Sequence, residues 1–132
     1  MKRVLTAAVI LAALAVGAVA QDDWYRDRER RFYGEGWRPH IFMQVKMDLD
    51  HIWSARFAAQ HERNRLDRTQ DELAQIQRDF DRGRWDGDLI DNVIEHLAKS
   101  SRDERLSRRD RDVLADDTER LRDFRRRHNH RR

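Results

Sequence analysis

Residues 81–94, DRGRWDGDLIDNVI, set four aspartates and two glycines at the head of an apolar-periodic segment. The chemistry such a run can carry is calcium ligation. An EF-hand loop wants oxygen ligands at positions 1, 3 and 5, a glycine at 6 and a bidentate acid at 12. With Gly83 at position 6, Trp85 and Asp86 fall at 8 and 9, but positions 1, 3 and 5 become Arg78, Phe80 and Arg82, and position 12 becomes Leu89. Two guanidiniums, a phenyl ring and an isobutyl group cannot hold a hard cation. The later turn, aligned on Leu106, offers Lys99, Ser101 and Asp103 with Asp110 at position 12, and it lacks the first ligand. The aspartates read instead as helix-starting residues: Asp86 or Asp88 caps, and negative charge favours a helix N-terminus.

The histidines are His40, His51, His61, His96, His128 and His130. No two stand at i,i+3 or i,i+4, the spacing that puts two ligands on one helix face. His128 and His130, two apart in the C-terminal tail, are the candidate metal ligands, for copper or nickel. His61-Glu62 begins like a zinc-protease helix, but Arg65 stands where the second histidine belongs. There is no cysteine, which removes thiolate sites, disulfides and a lipoprotein anchor. Serines occur only at 54, 100, 101 and 107, none in a nucleophile elbow, and no glycine-rich loop could cradle phosphate. The pair Asp116-Asp117 reads as acids on a solvated helix face. The expectation is a protein with no catalytic residues and no cofactor, not an enzyme.

The elements that would position any site begin after residue 20. MKRVLTAAVILAALAVGAVA has a short positive end at Lys2 and Arg3, an apolar run from Val4, and a small-residue end at Ala18-Val19-Ala20. That is the layout of a secretory signal peptide, with cleavage expected between Ala20 and Gln21, and it leaves no transmembrane segment behind. The protein is therefore expected to be exported, periplasmic or secreted. Removing Lys2 and Arg3 takes the net charge from +3 to +1, so the whole-chain pI of about 9.8 says little about residues 21–132. Of those 112 residues, 35 are apolar and 51 charged, close to the composition of disordered chains; the near-zero net charge and clear periodicity argue for folding. Arginine outnumbers lysine 25 to 3, which suits anion recognition by guanidinium forks and equally suits a GC-rich genome.

Residues 21–38 show no helical or strand period and carry five aromatics, so they read as a flexible aromatic and charged lead-in. Pro39 suits the first turn of a helix. From His40 to Arg82 there is neither Gly nor Pro, and Val45, Ile52, Ala59, Leu66, Leu73 and Phe80 recur every seven residues, as in a coiled coil. The companion stripe changes from Phe42 and Leu49 to Thr69 and Ile76, so the apolar face turns near residues 56–65. Either one helix bends there, or the chain breaks and Asn64 or Asp67 caps a second one. Gly83 suits a helix C-terminus needing positive φ. Leu89, Ile90, Val93, Ile94 and Leu97 mark the next helix, with Glu95 and Lys99 paired across one turn. Ser107 is placed to cap a last helix carrying the series Leu114, Asp117, Leu121 and Phe124 and running from about Arg108 into the high 120s. No strand is signalled. The fold class is all-α, a small three- or four-helix bundle or hairpin with a long first helical region and flexible ends: lead-in 21–38, helical domain 39–127, basic tail 128–132.

With LDRTQDELAQIQRDFDRGRWDGDLIDNVIEHL and RLSRRDRDVLADDTERLRDFR in view, residues 41–127 resemble a group of small exported bacterial proteins of unassigned function, found chiefly in Acidobacteria. The resemblance implies an exported helical domain and supplies no activity. A second similarity, carried by fewer residues, is to periplasmic chaperones of the Spy and CpxP type, marked by a repeated L-T-x-x-Q. Here Leu66-Asp67-Arg68-Thr69-Gln70 and Leu106-Ser107-Arg108-Arg109-Asp110 have the form without the full motif.

The functional expectation is a non-enzymatic exported protein that binds another protein or an anionic envelope component, in a chaperone- or stress-related role. The interaction candidates are the aromatics Trp24, Trp37, Trp53 and Phe57, more than one helix stripe can bury. Arg125, Arg126, Arg127, Arg131 and Arg132 form a basic end suited to lipid headgroups or acidic polymers. Nucleic acid is not expected as a partner of an exported, nearly neutral domain. A metal-responsive protein using histidines, and a structural module without a ligand, are the alternatives. The heptad-bearing region leaves homodimerisation open.

Overall fold

The computed structural model of the chain describes residues 23–54 and 60–129; the cleavage site at Ala20 and Gln21, Phe57, His130, Arg131 and Arg132 lie outside them. The chain divides into two compact units, one ending at Trp37 and the other beginning at Arg38.

Within the first unit, residues 23–31 form helix α1, where sequence periodicity had suggested none. Local contacts between charged and aromatic side chains replace an apolar stripe. The Arg28 guanidinium lies 4.7 Å over the Phe32 ring, one turn on, and Arg30 pairs with Asp27 at 3.3 Å. Gly34 takes φ +74°, and its carbonyl accepts a 2.9 Å hydrogen bond from the Trp37 indole N–H. Phe32 and Trp37 are buried and meet edge to face at 5.4 Å.

In the second unit a single 3₁₀ turn, Arg38–His40, leads into α2 (Ile41–Trp53), followed by α3 (Gln60–Asp81), α4 (Gly87–Ser100) and α5 (Arg108–Asn129). The bundle closes in a ring: α2 packs on α3, α3 on α4, α4 on α5 and α5 back on α2. Among the described residues there is no strand, and no helix is long and apolar enough to cross a membrane. The region 40–82 is two helices and not one. Gln77 of α3 reaches the start of α2 and Gln70 reaches Asp50 near its end, so the pair runs antiparallel. The change of apolar phase thus marks a break, on the near side of which Ser54 N–H closes α2 onto Asp50 O at 3.1 Å. α3 already begins at Gln60, so Asn64 and Asp67 are interior and cap nothing.

Both companion stripes reach the core. Phe42, Val45, Leu49 and Ile52 of α2 are fully buried, as are Leu66 and Leu73 of α3, with Thr69 and Ile76 beside them. Each buried aliphatic contributes about 1.5–3 kcal/mol. The scarcity of apolar residues is met in part by threonines whose hydroxyls are satisfied by their own helix. Thr69 and Thr118 donate to the carbonyls of Arg65 and Leu114, four residues back, at 2.8 and 2.7 Å. Asp117, read from sequence as solvated, is fully buried in α5; it falls on the stripe of Leu114 and Leu121, where Asp116 does not.

The stretch 81–94 is a turn and a cap. Gly83 takes φ +76°, its N–H reaches Phe80 O at 3.0 Å, and Arg84 N–H reaches Asp79 O at 2.7 Å, the paired bonds of a Schellman end. Asp86 Oδ1 accepts the Leu89 N–H at 3.0 Å, while Asp88 sits in the first turn of α4. Asp86→Ala is expected to lower stability by about 1 kcal/mol, read as a shift of the urea midpoint, with no change on adding calcium. Ser107 Oγ likewise accepts the Asp110 N–H at 3.1 Å and starts α5.

Candidate functional site

The groove of interest lies between α4 and α5 and has a volume of about 460 Å³. From α4 come Asp91, Ile94, Glu95 and Ala98, spaced so that every one lies on the same face, and Arg102 follows from the turn beyond it. From α5 come Arg122, Arg125 and Arg126, again three and four residues apart. Four guanidiniums and two carboxylates therefore surround a floor of isoleucine and alanine.

Each arginine is held differently. Arg125 is the most fixed: its Nε–H donates to Asp91 Oδ1 at 3.1 Å, a second nitrogen approaches Oδ2 at 3.4 Å, and a third bonds Asn129 Oδ1. Its guanidinium also lies 5.8 Å from the Trp85 ring centroid. Gly87 makes this placement possible, because a Cβ there would stand 2.6 Å from an Arg125 terminal nitrogen. Arg122 pairs with Glu119 at 2.7 Å and Arg126 approaches Asp123 at 3.8 Å, both on the exposed surface, where such pairs are worth about 0–1 kcal/mol and open readily. Glu95 is engaged by Lys99 at 3.1 Å. Among the described residues, Arg102 makes no ion pair. The groove thus holds one locked guanidinium and three that a ligand can recruit.

Behind the groove is an aromatic cluster. Phe124 meets Phe42 at 5.4 Å and Phe80 at 5.5 Å, both edge to face, and His128 stacks on Trp85 at 4.6 Å with 12° between planes. Helix α5 therefore continues through residues 128 and 129, where the sequence suggested a frayed basic tail. His128 Nδ1 sits 3.1 Å from Phe124 O, so this candidate metal ligand is engaged by backbone and ring contacts. Among the described residues no three His, Asp or Glu side chains come together as a cation site. At the opposite end of α2, burial holds the His51 imidazole below its ordinary 6.5, against the raising pull of Asp110 and Asp48.

No protein-family model, no curated protein and no solved structure matches the chain. The site is therefore read from its own geometry.

The aromatic candidates fall in different surroundings. Trp24 is half-buried against Tyr25 at 5.1 Å, and Trp37 is buried in the first unit. Trp53, at the end of α2 in the second unit, is 44% exposed. Of the basic residues, Arg125 and Arg126 line the groove and Arg127 pairs with Asp123 at 3.0 Å. Asp91, Arg102 and Arg122 were missed by sequence reasoning. Their signal was present as the one-face spacing 91, 94, 95, 98, 102 and 122, 125, 126, but only the pairing of α4 with α5 makes one groove of two stripes.

Proposed function

We propose that this chain is an exported, non-enzymatic helical protein that binds an anionic component of the cell envelope in the α4–α5 groove. The observation that supports this reading is the convergence of Arg102, Arg122, Arg125 and Arg126 on an apolar floor of Ile94 and Ala98. Guanidinium forks match pairs of carboxylate or phosphate oxygens, and hydrogen bonds between such charged groups are the stronger kind. Among the described residues Arg102 brings a donor set that no acid occupies, and Arg122 and Arg126 exchange weak surface pairs for the ligand. The apolar floor takes the uncharged part of the same molecule. Export rests on the order of charge, apolar run and small residues in Met1–Ala20, and Arg127, Arg131 and Arg132 add positive charge after the groove arginines.

The test is co-sedimentation of residues 21–132 with phosphatidylglycerol vesicles, with retention on a carboxylate-rich polymer in parallel. Binding is expected to weaken with salt, since exposed charges are screened over about 8–10 Å. Arg122→Glu with Arg126→Glu is expected to weaken it at least about tenfold, the equivalent of 1.4 kcal/mol. Arg68→Glu with Arg78→Glu, an equal charge change on the exposed face of α3, is expected to leave most binding intact. Equal loss in both double variants would reduce the effect to net charge and overturn the groove reading. Suppression of client aggregation without anion binding would favour the activity that similarity to Spy and CpxP implies.

A further inference from the structure

The four arginines of the α4–α5 groove stand at two separate levels along it. Gly87 and Asp91, in the first half of α4, meet Arg125, near the end of α5, so the two helices run antiparallel. The Arg125 guanidinium is thereby fixed beside Asp91, with Arg126 next to it in sequence. Arg122, three residues earlier on α5, stands about 4.5 Å further along the groove. Arg102 enters from the other end. Ser101 N–H bonds Leu97 O at 2.9 Å and Arg102 N–H bonds Lys99 O at 3.1 Å, so the chain keeps turning past α4 as far as residue 102. At 1.5 Å per residue, Arg102 is about 16 Å along from Asp91, and about 12 Å from the level of Arg122.

Between the two levels lie Ile94, Glu95 and Ala98. Ile94 and Ala98 make this span apolar. Glu95, held by Lys99 at 3.1 Å, adds a carboxylate that repels an anionic group placed there. A strand charged at every step is therefore opposed in the middle of the groove, whereas an aliphatic chain is accommodated. Arg125 is engaged by Asp91 and Asn129, so one end of the groove receives an anion through Arg122 and Arg126 and the other through Arg102.

We infer that the ligand of this groove carries two anionic groups, one held by Arg122 and Arg126 and one by Arg102, joined by an extended aliphatic span of about 12 Å, an inference that rests on anion binding in the groove. Joining two groups makes the second contact intramolecular. The gain is greatest when the linker matches the separation of the two sites, and it vanishes when the linker cannot reach. The groove thus selects for length and for a charge at each end.

The probes are decanedioate, its monomethyl ester and butanedioate, each titrated into nitrogen-15-labelled residues 21–132 at neutral pH. Extended decanedioate spans the distance, the ester keeps the length with one charge, and butanedioate keeps both charges at less than half the length. Decanedioate is expected to bind at least about fivefold more tightly than either of the others. Arg102→Gln is expected to remove that advantage and leave the ester's affinity unchanged. Arg68→Gln, the same charge change on the exposed face of α3, is expected to change neither. Circular dichroism of each variant checks that the bundle is intact. Equal affinity for the three probes, or an advantage that survives Arg102→Gln, would overturn the two-ended ligand while anion binding in the groove stands. If none of the three binds, co-sedimentation with phosphatidylglycerol vesicles separates the two claims. Vesicle binding lost in Arg122→Glu with Arg126→Glu would then overturn the two-ended ligand alone, and no vesicle binding would overturn both.

Discussion

Replacing Phe124 with alanine is expected to cost about 3–5 kcal/mol of folding stability, the range for truncating a buried aromatic. Phe124 is 5% exposed and is the ring at which the bundle's parts meet. It touches Phe42 of α2 at 5.4 Å, Phe80 of α3 at 5.5 Å and Trp85 of the α3–α4 turn at 6.0 Å, and it carries His128 one turn on at 4.2 Å. Alanine there opens a cavity bounded by elements that cannot all collapse inward together. For a domain of this size, total stability is about 5–15 kcal/mol, so the variant retains little margin. Urea denaturation followed by circular dichroism measures the loss. Phe124→Leu keeps most of the volume and is expected to cost under about 1.5 kcal/mol, apart from the edge-to-face contacts, worth about 0.5–1.5 kcal/mol each. A loss under about 1 kcal/mol for Phe124→Ala would mean the cluster is not a closure of the bundle.

The second large effect is at Gln77, where one side chain of α3 finishes the start of α2. His40, the residue before α2, makes no side-chain cap, which leaves the Met43 N–H without a local acceptor. Gln77 Oε1 accepts that N–H at 3.3 Å, while its Nε2 donates to Pro39 O at 3.0 Å and Asp81 Oδ1 at 2.9 Å. The amide is 4% exposed, so water has little access to the groups it serves. Gln77→Leu preserves shape and removes all three bonds. It is expected to cost about 1–3 kcal/mol, the penalty of leaving buried backbone groups unpaired. Gln75→Leu, two residues away and exposed, is expected to stay within about 0.5 kcal/mol. Equal urea midpoints for the two variants would contradict the bridging role.

These two sites show why parts of the bundle were legible in the sequence and others were not. The seven-residue series and the caps at Asp86 and Ser107 are local signals, set by one helix's own period and by side chains three residues from the amide they serve. Gly83 is local too, since only its own φ is at issue. Gln77 acts across 34 and 38 residues of sequence, and no periodicity reports such a bond. The short helix 23–31 was hidden for another reason. It is ordered by an arginine over a ring, and a test for apolar spacing scores arginine as solvated. Asp117 erred in the same direction: its neighbours Leu114 and Leu121 placed it on the inner face, yet residue type argued for the outer one. The groove was half legible, since each stripe shows in sequence and the meeting of Arg125 with Asp91 does not.

The central claim is that the α4–α5 groove receives the anionic partner, and an amide NMR titration tests it most directly. Residues 21–132, labelled with nitrogen-15, would be titrated with a short-chain phosphatidylglycerol below its micelle concentration. The expected result is saturable shift changes clustered at residues 91–102 and 119–129, lost in Arg122→Glu with Arg126→Glu. Shifts confined to α1 or α2, or none at all, would contradict it.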